Sequence, residues 1–378
     1  MEDFAKNHEE IQLDIIRDLC RIPAPSFGER RRAEYCKAYF ESFGAEGAYI
    51  DEVNNVIFPL NCEASNEITV FAAHTDTVFS DTEFYPEFHE DEERIYCPGV
   101  GDDTASVAAL ILTAKYFVEN KISPKGGILF VCNSCEEGLG NLVGVKQIFK
   151  DFEGRIARFI SFDSKLSKIA DVCVGSCRYN VEVRTEGGHS YGLFGKKNDI
   201  AELAKIINDI YAIEVPKIDG SKTTYNVGII NGGTSVNTIA QSASMLCEYR
   251  SSNEKCLEIM RKHFERIFDS ARSEEVEVSV SVVGERPCMK GVDEGKVERL
   301  ASICEEIIEG VTNMQAKRIS SSTDCNIPLS LGVPAICVGV YNGGGSHTRE
   351  EWVEKASIPV GLEVGIKIIE AVVKLAGE

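Results

Sequence analysis

Five short segments carry the groups that divalent-metal chemistry needs: His74-Thr75-Asp76, Gly101-Asp102-Asp103, Glu136-Glu137-Gly138, Asp163, and His347 after Gly343-Gly344-Gly345. Imidazole nitrogens and carboxylate oxygens together suit Zn²⁺, Co²⁺ or Mn²⁺. A carboxylate shared by two such ions can hold them about 3.5 to 4 Å apart for hydrolysis. Each segment also has an ordinary reading. A His-x-Asp at a strand end can be a local turn, an acidic residue opening a helix can be a cap or dipole partner, and a Glu-Glu pair can be a solvated loop. Against this, Asp102 with Asp103 is one carboxylate more than a cap needs. Asp163 closes an apolar run, where a lone carboxylate is costly unless a cation pairs with it. Asp76 lies two residues beyond His74 and points to the same side, so its carboxylate can orient the imidazole. Glu136 and Glu137 leave a strand end in different directions, so one could bind metal while the other faces substrate, and Gly138 and Gly140 permit close backbone approach.

Of the other histidines, His8 and His263 lie on charged helical stretches and His89 sits in an acidic one with Glu90, Asp91 and Glu92. His189 follows Glu186-Gly187-Gly188, a glycine-rich place from which an imidazole could reach a developing oxyanion or could simply form a surface turn. Cys132-Asn133-Ser134-Cys135 raises a rival, a redox pair or half of a zinc site. It is poorly placed for either: redox pairs open helices whereas Cys132 belongs to a buried strand, and no second Cys-x-x-Cys completes a structural zinc site. The sequence contains neither a Gly-x-x-x-x-Gly-Lys-[Ser/Thr] phosphate loop nor a Gly-x-Ser-x-Gly nucleophile elbow.

An α/β sheet could bring these segments together, because ligands of open α/β sheets bind at the carboxyl ends of the strands. Apolar runs at 55–60, 68–74, 127–134 and 158–163 read as strands, most of them ending in polar residues, and helical spacing recurs at 4–22, 29–43, 104–119 and 141–149. This alternation of buried strand and crossover helix predicts a mostly parallel sheet. From about residue 169 the texture changes to half-exposed strands at 179–184, 223–230, 242–250 and 276–283, with amphipathic helices at 199–211 and 254–270. After Pro287 the α/β texture returns, with a helix at 294–309, a strand at 334–340 and a closing helix at 358–375. The expected architecture is a discontinuous α/β catalytic domain, 1–175 and 288–378, with an inserted α+β lid at 176–287.

The 378 residues suit two or three folding units of roughly 150 residues. With 26% charged and 43% hydrophobic residues the chain is expected to be globular. Its net charge of −20 would repel nucleic acid and anionic membrane surfaces. The polar, acidic first residues do not read as a secretory signal, and no apolar run approaches the roughly 18 residues that cross a bilayer. The fourteen Cys are expected to be reduced thiols of a cytoplasmic protein.

Taken in order, His74-Thr75-Asp76, Gly101-Asp102-Asp103, Glu136-Glu137, Asp163 and Gly345-Ser346-His347 resemble the metal-site motifs of the M20 family of di-zinc peptidases and amidohydrolases, particularly its tripeptidase T branch. The resemblance covers nearly the whole chain. It implies two divalent ions, zinc foremost with cobalt or manganese as alternatives: one held by His74, Asp102 and Asp163, the other by Glu137 and His347, with Asp102 bridging. It also implies Glu136 as general base, with Asp76 beside His74, and a lid that commonly forms a homodimer. Gly188-His189-Ser190 resembles the family's oxyanion-stabilising histidine. Gly232-Gly233-Thr234-Ser235-Val236-Asn237 resembles its substrate-binding asparagine segment, and Arg250 resembles the arginine that receives a substrate carboxylate. Ser322-Thr323-Asp324-Cys325-Asn326 resembles a segment near the active site, without roles for Thr323, Asp324 or Asn326. The activity implied is aminopeptidase cleavage of tripeptides or dipeptides; the alternative is hydrolysis of N-acyl amino acids or related small amides.

Overall fold

Ile68–His74 and Gly127–Asn133 are buried along their whole length, as strands at the centre of a parallel sheet covered on both faces must be. The computed structural model describes residues 1–63, 65–79 and 88–377. They form two compact units, Met1–Cys173 with Lys290–Glu378, and Val174–Met289.

The first unit is built on an eight-stranded sheet, in the order Tyr49–Ile50, Val56–Leu60, Gly127–Asn133, Ile68–His74, Ile156–Phe162, Ala335–Val338, Lys168–Cys173 and Lys317–Ser321. The four central strands are mutually parallel, and Val56–Leu60 and Lys168–Cys173 join them antiparallel. Register decides where the candidate residues emerge. His74 is opposite Asn133, and Ala72 is level with Ser161, so His74 and Asp163, each two residues further on, leave the sheet at the same level. Beneath that edge Phe58, Phe130, Phe71 and Phe162 follow one another across the strands at centroid spacings of 5.9, 6.3 and 6.4 Å. Aromatic neighbours of this kind contribute about 0.5–1.5 kcal/mol each beyond the area they bury. The helices Ala105–Glu119 and Ser357–Val372 are apolar around most of their circumference and pack on each other inside the unit, as all-round apolar helices must.

The structure departs from expectation where elements are short or interrupted. The opening helix is two, Glu2–Asn7 and Glu9–Cys20. His8 between them is non-helical (φ −109°); its ring stacks on Phe4 at 3.8 Å and Nδ1 donates to the Phe4 carbonyl at 2.8 Å. A small antiparallel sheet, Gly343–Gly344, Trp352–Glu354, Arg94–Tyr96 and His89–Glu90, was not anticipated. Its strands of two or three residues are too short to show periodicity. His89 accordingly sits on a strand, stacked on Tyr96 at 4.5 Å.

The second unit is an antiparallel sheet ordered Thr223–Gly232, Ser242–Ser251, Gly175–Arg184, Glu277–Arg286. Burial alternates residue by residue along Ser242–Ser251. The apolar face, including Val181, Met245 and Tyr249, packs with Leu203, Ile206, Met260 and Phe264 of the helices Asp199–Tyr211 and Glu254–Ala271. Asn198 and Asn253 cap these two helices by accepting first-turn N–H groups. Among the described residues no helix is long and apolar enough to cross a membrane.

Candidate metal centre

At the carboxyl edge of the central strands, the carboxylate of Asp102 lies between two imidazoles. Its Oδ1 is 3.0 Å from His74 Nε2 and its Oδ2 3.2 Å from His347 Nε2, while His347 Nε2 is also 3.3 Å from Glu137 Oε1. His74, Asp102 and Glu137 offer ligand atoms all within 4.8 Å of one another. The neighbouring carboxylate, Asp103, instead accepts the backbone N–H of His74 at 3.0 Å. Asp163 and Glu136 lie within electrostatic reach of the same group. Glu136 and Glu137 are both buried, and His347 is 58% exposed at the side chain.

The histidine tautomer follows from its partners. His74 Nδ1 faces the main-chain oxygen of Asp76 at 3.1 Å, which can only accept, so Nδ1 carries a proton; Nε2, 3.0 Å from the Asp102 carboxylate, also donates while the imidazole is charged and offers its lone pair there once that proton is lost. The Asp76 carboxylate is 3.5 Å from the same nitrogen. Its tight bonds go elsewhere, accepting from the N–H groups of Glu136 and Glu137, both at 2.9 Å, and from Ser26 Oγ at 2.6 Å. Asp76 therefore ties the imidazole to the loop that presents both glutamates.

Electrostatics of the bare protein show a site oversupplied with negative charge. Burial pushes Glu137 up to about 7 against the His347 bond, with Asp102 and Glu136 adding repulsion. Burial and the charges of Asp102 and Asp103 push Asp163 well above the carboxylate range. Burial and Glu136 raise Asp324 to about 7, while burial and Asp102 raise Glu351 to about 8 against three backbone N–H bonds. Burial opposes charge on His74, but Asp102 and Asp76 outweigh it and hold the imidazole well above its ordinary value. Bonds to Asp102 and Glu137 lift His347 to about 10. Asp102 itself would be raised by burial, yet the two imidazoles hold it below the usual range. Neutral imidazoles and ionised carboxylates are the forms that ligate divalent ions, and such ions would relieve this repulsion. The donor set therefore fits divalent cations: His74, Asp102 and Glu137 come together, His347 reaches both Asp102 and Glu137, and Asp163 is within electrostatic reach, so these residues could hold the two ions that the resemblance implies.

Several supporting residues complete the site, and of these Arg32, Glu29 and Glu351 gave no sequence signal. Buried Arg32 donates to the carbonyls of Ile22 and Thr75, both at 2.9 Å, and to Thr104 Oγ1 at 3.3 Å, bracing the segments of His74 and Asp103. In the sequence it is one of three consecutive arginines. Buried Glu29 accepts from the backbone N–H groups of Phe27 and Cys135 at 2.8 and 3.1 Å and from the Cys135 thiol at 3.3 Å. Cys135 is thus occupied in holding the glutamate loop, and Cys132 is buried in its strand. Asp324 is fully buried and accepts from Asn133 Nδ2 at 2.8 Å, while Thr323 and Asn326 bond within their own turn. Glu351, also buried, accepts three backbone N–H groups of the Asp102 loop.

The remaining candidates belong to the second unit. The short strand Gly188–His189 pairs with Thr238–Ile239, and Ser190 N–H donates to the Asn237 carbonyl at 3.1 Å, so His189 and Asn237 are neighbours. His189 Nδ1 accepts from Gly192 N–H at 3.2 Å, which leaves Nε2 as the protonated, donor nitrogen of a neutral ring. Asn237 Oδ1 accepts from Ser235 Oγ at 2.6 Å. Arg250 donates from Nε and an Nη to the two Glu248 oxygens at 2.7 and 3.1 Å.

The chain is similar to known proteins in fold and family. The family model for Peptidase family M20/M25/M40 matches residues 70–371. A tripeptidase from Staphylococcus aureus shares the fold with a TM-score of 0.77 at 22% identity, covering 97% of this chain and 99% of that one. A dinuclear metal-binding peptidase of Bacillus subtilis does so with a TM-score of 0.67 at 15% identity, covering 98% and 99%. The succinyl-diaminopimelate desuccinylase of Psychrobacter arcticus is 24% identical over 317 residues, 77% of this chain and 74% of its own. With its matched segment running from the His74 strand through the closing helix, the chain belongs to Peptidase family M20/M25/M40.

Proposed function

We propose that this protein is a two-metal aminopeptidase that cleaves tripeptides or dipeptides. The observation that carries the reading is Asp102, whose two oxygens each face a different imidazole, the arrangement of a carboxylate shared by two ions. Two divalent cations bound there, zinc foremost, would acidify a water and polarise the scissile carbonyl. Glu136 takes the proton of the attacking water and returns it to the leaving amine. Asp76 holds the Glu136 and Glu137 backbone in place and, through His74 Nδ1, keeps Nε2 available as a donor of its lone pair. His189, a neutral donor at Nε2, is the proposed partner of the oxyanion. Asn237 and Arg250 are the proposed anchors of the peptide end, with the planar guanidinium suited to a carboxylate.

A homodimer through the second unit is part of this proposal. Thr223–Gly232 is an edge strand, and Ile229 and Ile230 on it are 51% and 55% exposed; an apolar sheet edge invites pairing with a second copy. Fourteen free, buried thiols support a reducing, cytoplasmic setting. The desuccinylase relative favours one second reading, hydrolysis of N-acyl amino acids or related amides by the same centre. The test is hydrolysis of dipeptides, tripeptides, longer peptides and N-acyl amino acids by protein supplied with Zn²⁺, Co²⁺ or Mn²⁺. Cleavage confined to short peptides with a free amino end is expected. Cleavage of acyl amino acids alone would replace this reading with the second.

A further inference from the structure

We propose that Glu351 is a positioning residue of the metal centre: its carboxylate clamps the loop bearing Asp102 to the segment bearing His347, so that both ion positions are built as one unit. The inference rests on the two-metal reading above. Glu351 is 1% exposed. Its Oε2 accepts from Gly99 N–H at 2.6 Å, and its Oε1 from Gly101 N–H at 3.1 Å and Asp102 N–H at 2.8 Å. Its main-chain oxygen accepts from Cys97 N–H at 3.0 Å. Four bonds to residues 97–102 thus come from one residue.

The other side of the clamp is equally fixed. His347 is four residues before Glu351, in a turn where Thr348 N–H and Oγ1 donate to the Gly345 carbonyl at 2.9 and 2.7 Å. Immediately after Glu351, Trp352 pairs with Tyr96 in the small sheet. The loop sits directly on the carboxylate: a Cβ added at Gly101 would come within 3.0 Å of Glu351 Oε1 and 2.6 Å of Tyr341 Cε2. The acceptor for the Asp102 backbone therefore belongs to the chain segment that supplies the imidazole on the other side of Asp102. Displacing either segment moves the other, which gives Glu351 a role beyond stabilising a loop.

The test compares metal-free wild type with Glu351→Gln by titration with Zn²⁺ and Co²⁺, reading affinity by calorimetry and geometry by the Co²⁺ visible spectrum. A glutamine keeps the shape but turns an NH₂ toward a backbone N–H. Affinity should fall roughly 10- to 100-fold, as for other residues that orient ligands. The saturated Co²⁺ spectrum should change, and at saturating metal kcat should fall while KM moves less than about twofold, as for a group acting on the reacting geometry rather than on binding. Unchanged affinity and spectrum with only a lower melting temperature would overturn the proposal and leave the two-metal reading standing. No metal binding by wild type would overturn both. If the variant does not fold, amide exchange in the metal-free wild type decides: slow exchange of residues 99–102 supports the clamp, and exchange at the rate of an open loop refutes it.

Discussion

At the scale of single residues, the structure separates groups that the sequence presents as equivalent neighbours. Asp102 meets both imidazoles while Asp103 takes a backbone N–H of the adjacent strand. Glu137 is within 3.3 Å of His347, and Glu136, buried beside it, is the proposed general base. Replacing Glu136 by glutamine should therefore retain both metals and cut kcat by about 10²–10⁴-fold, the usual contribution of a general base. Metal analysis beside steady-state kinetics checks this, and parallel loss of metal would mean that base and ligand have been confused. Arg250→Ala should raise KM for peptides with a free terminal carboxylate more than for their amides, and equal effects on both would remove Arg250 as an anchor. The ligand types were legible because imidazoles and carboxylates at strand ends are chemically conspicuous. Arg32, Glu29 and Glu351 were not, since their partners are backbone groups distant in sequence that no spacing reveals.

At the scale of elements, the long strands and helices were legible from periodicity, as Ile68–His74, Ala105–Glu119 and Glu254–Ala271 illustrate. What escaped was close backbone packing, which leaves no hydrophobic pattern behind it. Two helical glycines make the point. A Cβ at Gly361 would lie 1.5 Å from the Val340 carbonyl oxygen, whereas one at Gly310 would meet nothing within 4 Å. Gly361 lets the helix Ser357–Val372 rest against the chain that leads from the strand Ala335–Val338 to His347. Gly361→Ala should thus destabilise by about 3 kcal/mol, at the upper end of overpacking costs. Gly310→Ala should stabilise by about 0.5–1 kcal/mol through helix propensity and a less free unfolded chain. Denaturant unfolding of the two variants checks the pair, and matching signs would contradict this account of the packing.

At the scale of the molecule, excess negative charge is concentrated at one edge of the sheet, and that charge links stability, protons and metal. In the metal-free protein Glu137 titrates at about 7 against an ordinary 4.5, Asp324 at about 7 against 3.8, and His347 at about 10 against 6.5. In all three the folded value is the higher, so between the unfolded and folded values these groups hold more protons in the folded state than in the unfolded chain. Their contribution to stability is present below the unfolded values and is lost as pH rises through the folded ones. Divalent ions act in the opposite sense, because they bind only deprotonated ligands and displace these protons, so their affinity grows with pH. The gain in melting temperature on adding saturating Zn²⁺ or Co²⁺ to chelator-treated protein should therefore widen from about pH 5.5 to about pH 8. Thermal unfolding with and without metal across that range measures it. A gain that stays constant or shrinks with rising pH would show that the ions bind away from Glu137 and His347.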